Sequence, residues 1–256
     1  MAGEGGPIDR VMFRAAERRW RRAAETAGTL DLFTLRRLRG RARRLRRTLD
    51  RLLFEADGRL AAGPRDGDSF AKPPGTDWAW RPAVWNGPLA EVRGAGAGAR
   101  TPIGEEMTLF HDCDLAELSF RQERQLEETS PAPFGLRLDV FGFEGSYLSL
   151  AVQLPERAAQ GLRRRHLVQA DLFVEVETPI KVFARLNIRH GPNTEQIVRE
   201  LPEVNVPQTV EFDLAYARLT ERRVERLWLD LIFERPAMNR IVLRDLAMSR
   251  RPRADL

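Results

Sequence analysis

A single cysteine in 256 residues, Cys113, excludes an intramolecular disulfide framework. It suits a reducing compartment, so a cytoplasmic address is the expectation. With three histidines besides, a zinc site would be short of its usual converging ligands, and neither a metal nor a cofactor is expected. Lysine is scarce too: forty of the forty-two basic side chains are arginine, a bias that runs through the whole chain and reads first as composition. No apolar run reaches the 18 or so residues a membrane span needs. The opening stretch MAGEGGPIDRVMF has neither the basic region nor the apolar core of a secretory signal, so none is expected.

What is present is unevenly distributed. Residues 10–59 hold sixteen arginines against six acids, net +10, while the rest of the chain is net negative and the total is +5. The basic character therefore belongs to a head, residues 1–57. Phe13, Ala16, Trp20, Ala23 and Ala27 recur at three- and four-residue steps and predict a first helix, ended by Gly28, with Thr29 or Asp31 capping the next. Leu35, Leu38, Ala42, Leu45, Leu49 and Leu52 continue as a coiled-coil-like seam, in which Gly40 costs about 1 kcal/mol against alanine. A basic α-helical hairpin is predicted, and it could pair with a second copy as a homo-oligomer. Nine arginines against Asp50 between residues 35 and 54 leave almost no i,i+4 compensation. Arg36, Arg37, Arg43, Arg44, Arg46 and Arg47 are thus candidates for an anionic surface of protein, membrane or nucleic acid, attracted without specificity. The alternative is a solvated flank that keeps a packed helix in solution, or pairing of these arginines with the acidic body of the same chain.

Residues 58–104 read as a Gly- and Pro-rich connector carrying Trp78, Trp80 and Trp85. These rings either clamp the connector onto the next domain or offer a flat platform to a sugar. From residue 106 the period changes to two. Strands are predicted near 106–111, 115–121, 134–141, 146–154, 167–176, 180–190, 195–201, 207–213, 224–234 and 239–247. Evenly spaced strands without amphipathic helices between them argue against a parallel α/β enzyme. The fold class is mainly β: an antiparallel β-sandwich, jelly-roll-like, over residues 105–256. Within it VERLWLDLIFE predicts a central strand with Leu227, Leu229 and Leu231 on one face and Trp228, Asp230 and Ile232 on the other. LPERAAQGLRRRH is the one stretch suited to a short helix, and the closing SRRPR reads as a basic tail or a last turn.

Three clusters could carry chemistry. In LFHDCDLAEL a strand would send His111 and Cys113 one way and Asp112 and Asp114 the other, which suits a small buried thiol beside a turn better than metal or nucleophile. In RLNIRHGPNTEQIVRE alternation sets Arg185, Asn187 and Arg189 on one face, a row of donors for hydroxyls or carboxylates, leading through His190 into a turn at Asn193. The other reading of that cluster is a polar network fixing the turn. In MNRIVLRDLAMSRRPR, Asp245 is placed to pair with an arginine at the core edge. No spacing forces two carboxylates together as glycoside hydrolysis requires, and no catalytic residue is named.

The phrases FHDCDLAELSFRQ, FEGSYLSLAVQLP, FARLNIRHGPNTEQIVRELP, FDLAY and VERLWLDLIFERPAMNRIVLRDLAMSRRPRADL resemble a family of uncharacterised proteins common in marine and photosynthetic alphaproteobacteria, over about residues 78–256. That resemblance carries no activity. The closing pair WLDLIF and IVLRDLAMS is also similar to the last strands of carbohydrate-binding-type jelly rolls, a likeness of fold alone. Together these features point to a non-enzymatic binding or assembly protein. Its sandwich would recognise a polar ligand such as a glycan through Arg185, Asn187, Arg189, His190 and Asn193, with Trp78 and Trp80 next. Its basic helices would oligomerise or dock to an acidic surface. The competing expectations are a glycan-acting enzyme on the same scaffold and a nucleic-acid-associated protein using the head.

Overall fold

Apolar side chains at every second residue can be buried only if one face of a strand meets another layer, and this chain has enough such strands for two sheets. A computed structural model describes residues 7–62, 70, 72–89, 92–96, 98–127 and 130–253. It divides into two compact units, Met1–Leu53 and Phe54–Leu256.

The first unit is helical: α1 (Pro7–Glu25), a 3-10 turn at Ala27–Thr29, and the start of α2 (Leu32–Ala62). Asp31 caps α2, its Oδ1 accepting from the backbone N–H groups of Phe33 and Thr34, both at 3.0 Å. Those bonds, Thr34 first, hold its carboxyl below the ordinary aspartate range. Among the described residues α1 contacts the turn at its end rather than the length of α2. The seam leucines Leu45, Leu49 and Leu52 are 40, 47 and 62% exposed.

The second unit is the sandwich. Its later strands are β4 (Met107–His111), β5 (Leu118–Arg124), β6 (Phe134–Val140), β7 (Tyr147–Gln153), β8 (His166–Val176), β9 (Val182–His190), β10 (Asn193–Glu200), β11 (Pro207–Asp213), β12 (Val224–Glu234) and β13 (Asn239–Pro252). Three short strands precede them: β1 (Trp78–Trp80), β2 (Arg93–Ala95) and β3 (Arg100–Ile103). Residues 58–104, expected as a connector, thus contribute strands to both sheets. Among the described residues one sheet runs β11-β8-β13-β6-β5-β2 with β1 beside β13, and the other runs β10-β9-β12-β7-β4-β3. All pairs are antiparallel. From β6 to β13 the chain passes repeatedly from sheet to sheet, and the first and last of these eight strands are neighbours, which is jelly-roll topology.

Between the sheets lie Leu136, Leu138, Leu243, Leu246 and Met248 on one side and Leu148, Leu150, Leu186, Leu229 and Leu231 on the other, all buried. Each fully buried leucine contributes about 1.5–3 kcal/mol. Val84–Trp85 enter this core from the turn of helix at α3 (Ala83–Asn86), and the Trp85 Nε1–H donates to the Leu243 carbonyl at 3.1 Å. Gln122 ties the same segment down, donating to the carbonyls of Val84 and Gly87 at 2.6 and 2.8 Å and accepting from the Leu89 N–H at 2.8 Å.

A bulge at Arg244 reverses the alternation of β13: Leu243 pairs with Val174, but Asp245 pairs with Phe173. Beyond it Asp245 turns outward and meets Arg81 at 2.8 Å, the core-edge pairing expected for it. Burial still pushes the Asp245 carboxyl up, with Arg81 pulling it back. SRRPR is neither tail nor turn. It continues β13 to Pro252, paired with β8, because Arg250 is satisfied inside by Asp77 at 2.9 Å and by the carbonyls of Ala158 and Gln160 at 3.0 and 2.9 Å.

Beside Asp77 lies His166, buried, whose Nδ1 accepts the Arg163 N–H at 2.9 Å. Burial, with the Arg250 cation second, pushes its pKa below the ordinary value despite Asp77. The neutral form is therefore the folded form. Its stabilising contribution is present above the unfolded pKa, about 6.5, and is lost as pH falls through the lower folded value. Thermal unfolding followed from pH 7.5 to pH 5 is expected to fall more steeply for the wild type than for His166→Asn. Equal slopes would contradict this.

Candidate functional site

Antiparallel pairing turns one alternating face into rows, and the outer face of the six-stranded sheet is where polar groups gather. β9 turns back at Gly191, which holds φ 59°, a left-handed value glycine adopts without strain, so that Gln196 of β10 stands opposite Asn187. β12 flanks β9 on the other side, placing Trp228 opposite Asn187 and Asp230 opposite Arg185. β7 then sets Gln153 beside Trp228 and Ala151 beside Asp230. One row therefore reads Gln196, Asn187, Trp228, Gln153. The next reads Val198, Arg185, Asp230, Ala151, Thr108.

Asp230 organises the face. Its Oδ2 accepts from Arg185 Nε at 2.9 Å, Arg185 Nη2 at 2.8 Å and Asn187 Nδ2 at 2.9 Å. The Asn187 Oδ1 accepts from Gln196 Nε2 at 2.9 Å. Asn187 is fully buried and Asp230 nearly so, whereas the Arg185 side chain keeps a third of its surface in water. The result is a set of donors whose directions are fixed before any ligand arrives. Trp228 is half-buried, with the Arg226 guanidinium 5.3 Å from its ring centroid.

Of the residues singled out in the sequence, Arg185 and Asn187 meet in this network. Arg189 shares their face, pairing with the exposed Glu225 at 3.2 Å. His190 does not join them. Its parity is that of the buried Ile188 and its Nδ1 accepts the Thr220 N–H at 3.3 Å. Asn193 is exposed on the opposite parity of β10 from Gln196. Trp78 and Trp80 stand opposite Arg250 and Met248, on the inward face of β13, and both pack against the core. Their placement is that of a clamp. Arg36, Arg37, Arg43, Arg44, Arg46 and Arg47 are all exposed on α2.

Gln196, Trp228, Asp230 and Gln153 were not named as ligand residues from sequence. The alternation of β12 placed Trp228 with Asp230, but only the register of β12 on β9 brings them to Asn187. The His111–Asp114 cluster resolves into a turn. Asp112 accepts from the Ser146 hydroxyl and N–H, and Cys113 donates to the Leu115 carbonyl at 3.2 Å. The Ser146 hydroxyl, first, holds the Asp112 carboxyl below its ordinary range. Among the described residues no three His, Cys, Asp or Glu side chains group as a metal site, and no helix is long and apolar enough to cross a membrane.

Among solved structures, the chain is similar to the enzymatically active domain of bacteriophage CBA120 tailspike protein 4, at 8% identity and a TM-score of 0.40 over 56% of this chain. It spans 19% of that domain. It is similar too to the family 11 carbohydrate-binding module from Clostridium thermocellum in complex with a β-1,3-1,4-mixed-linked tetrasaccharide. That likeness has 10% identity and a TM-score of 0.38 over 62% of this chain and 96% of the module. No residue role passes from such distant structures to this chain. No curated protein matches its sequence. One family model does, and it spans residues 1–256, head included: the chain belongs to the family of unknown function DUF6478.

Proposed function

We propose that the sandwich is a non-catalytic recognition domain that binds a glycan across the outer face of its six-stranded sheet. The observation that carries this reading is the row Gln196, Asn187, Trp228, Gln153. It is an aromatic ring between side-chain amides, on a face whose polar geometry Asp230 fixes from below. A pyranose presents an apolar C–H face and a rim of hydroxyls. A ring such as Trp228 takes the first, and amides, with Arg185 reaching from the next row, take the second. The carboxylate of Asp230 is engaged by three donors, so its part in this reading is to orient Arg185 and Asn187 rather than to exchange protons with a substrate.

Two-dimensional 15N NMR of the isotope-labelled chain tests the location directly. Titration with a mixture of neutral β-linked oligosaccharides is expected to shift the Trp228 indole N–H and the side-chain amides of Gln196 and Gln153, leaving the buried Trp85 indole unmoved. Trp228→Ala is expected to weaken the binding by about thirtyfold, the scale of removing a central aromatic anchor at about 2 kcal/mol. Shifts centred on any other face, or none with any sugar, would overturn the reading.

A further inference from the structure

The sandwich reading leaves unused the two long amphipathic helices α1 and α2. At 3.6 residues per turn, the seam from Leu35 to Leu52 on α2 gathers on an arc of about 100°. Arg39 and Arg46 border that arc on one side and Arg41 on the other, with the remaining arginines opposite. α1 repeats the layout, with Phe13, Ala16 and Trp20 on one face and Arg14, Arg18 and Arg22 across from it. Near the turn these faces are partly covered, with Trp20, Leu35 and Leu38 half-buried. Away from it they are open: Met12 and Phe13 are 67 and 70% exposed on α1, and Leu45, Leu49, Leu52 and Leu53 are 40, 47, 62 and 54% exposed on α2.

The charge decides what covers them. A second copy would set nine arginines and one aspartate against the same nine and one over residues 35–54, where the i,i+4 pair Arg46–Asp50, at 3.4 Å, offsets little. A nucleic acid would take the guanidinium groups and leave leucine and phenylalanine in water. A layer of acidic headgroups over hydrocarbon satisfies both faces together. Phosphates meet the arginines, the leucines enter the headgroup–acyl boundary, and the bordering arginines extend up to the headgroups. A flat surface also admits two helices in tandem that do not pack along each other. We propose that α1 and α2 form a peripheral membrane-docking element that lies in the interface of an anionic lipid bilayer.

Vesicle co-sedimentation of the full chain tests this, with phosphatidylcholine vesicles compared with vesicles holding 30–40% phosphatidylglycerol (about the anionic fraction needed for a strong surface potential). Binding to the anionic vesicles alone, weakened by salt, is the expected result. Arg43→Gln/Arg44→Gln/Arg47→Gln is expected to lose about a hundredfold in affinity, at about fivefold per arginine. Leu45→Gln/Leu49→Gln, which keeps every charge, is expected to lose at least about tenfold. Glutamine preserves helix propensity, and circular dichroism with thermal unfolding confirms that both variants fold.

Equal binding to neutral and anionic vesicles would overturn the proposal, as would the absence of sedimentation. Full vesicle affinity in the leucine variant would do so too. So would duplex DNA binding that this variant retains together with failure on vesicles, which would assign the helices to nucleic acid. A wild-type dimer by light scattering that the leucine variant dissolves, without vesicle binding, would assign the seam to a second copy.

Discussion

Trp85→Ala is expected to destabilise the sandwich by about 3–5 kcal/mol, the largest effect of any single substitution considered. The indole is fully buried within the core, and its N–H is bound to the Leu243 carbonyl at 3.1 Å. Truncation leaves a large cavity and removes the donor to the Leu243 carbonyl, next to the bulge at Arg244. Differential scanning calorimetry should show a fall in Tm of about 10 °C, since each kcal/mol shifts a domain of this size by about 2–4 °C. A fall of only a degree or two would mean that the Val84–Trp85 segment is not part of the cooperative core. The same measurement on Trp80→Ala, a half-buried ring, should give a smaller loss.

Asp230→Ala is the second large effect, expected at about 3 kcal/mol. Removing one partner of a buried ion pair costs about 3–5 kcal/mol because the other charge is stranded. Here the lower end applies, since the Arg185 side chain is 33% exposed and can turn to water. Asn187 has no such escape, because it is fully buried and loses an acceptor. Denaturant unfolding of Asp230→Ala, Arg185→Ala and the double variant should give a coupling energy above about 1 kcal/mol. Additive losses would show that the pair is incidental. Because the network also aims the donors, Asp230→Ala should lose ligand binding even at temperatures where it remains folded.

Much of this fold was legible because period two survives tertiary packing. Leu227, Leu229 and Leu231 go inward and Trp228, Asp230 and Ile232 outward, as alternation alone requires. What was not legible depended on partners distant in sequence. β1, β2 and β3 are three or four residues long and contain Gly94 and Pro102, so no periodic signal marks them. The Trp78 and Trp80 rings face inward only because β1 pairs with Arg250 and Met248, more than 160 residues away. The bulge at Arg244 shifts the parity of IVLRDLAMSR, which hides the continuation of β13 and turns Arg250 inward.

The candidate site divides the same way. Arg185 and Asn187 could be placed on one face from a single strand. Gln196 was within reach, since the short turn at Gly191–Pro192 sets the hairpin register that puts it opposite Asn187. Trp228 was not. Its position depends on β12 lying beside β9, and nothing in either strand announces its neighbour. The exposed leucines of α2 were read as a seam seeking a helix. In the structure Leu45, Leu49 and Leu52 are 40 to 62% exposed, which leaves the seam free for a partner and supports the lipid-surface proposal made above.

A glycan-array screen of the folded full chain, run beside Trp228→Ala, is the most direct test of the proposed recognition face. The expected result is selective retention on one class of oligosaccharide that Trp228→Ala removes while its thermal unfolding stays within a few degrees of wild type. A blank array from well-folded protein, or equal retention by Trp228→Ala, would contradict glycan recognition at this sheet face.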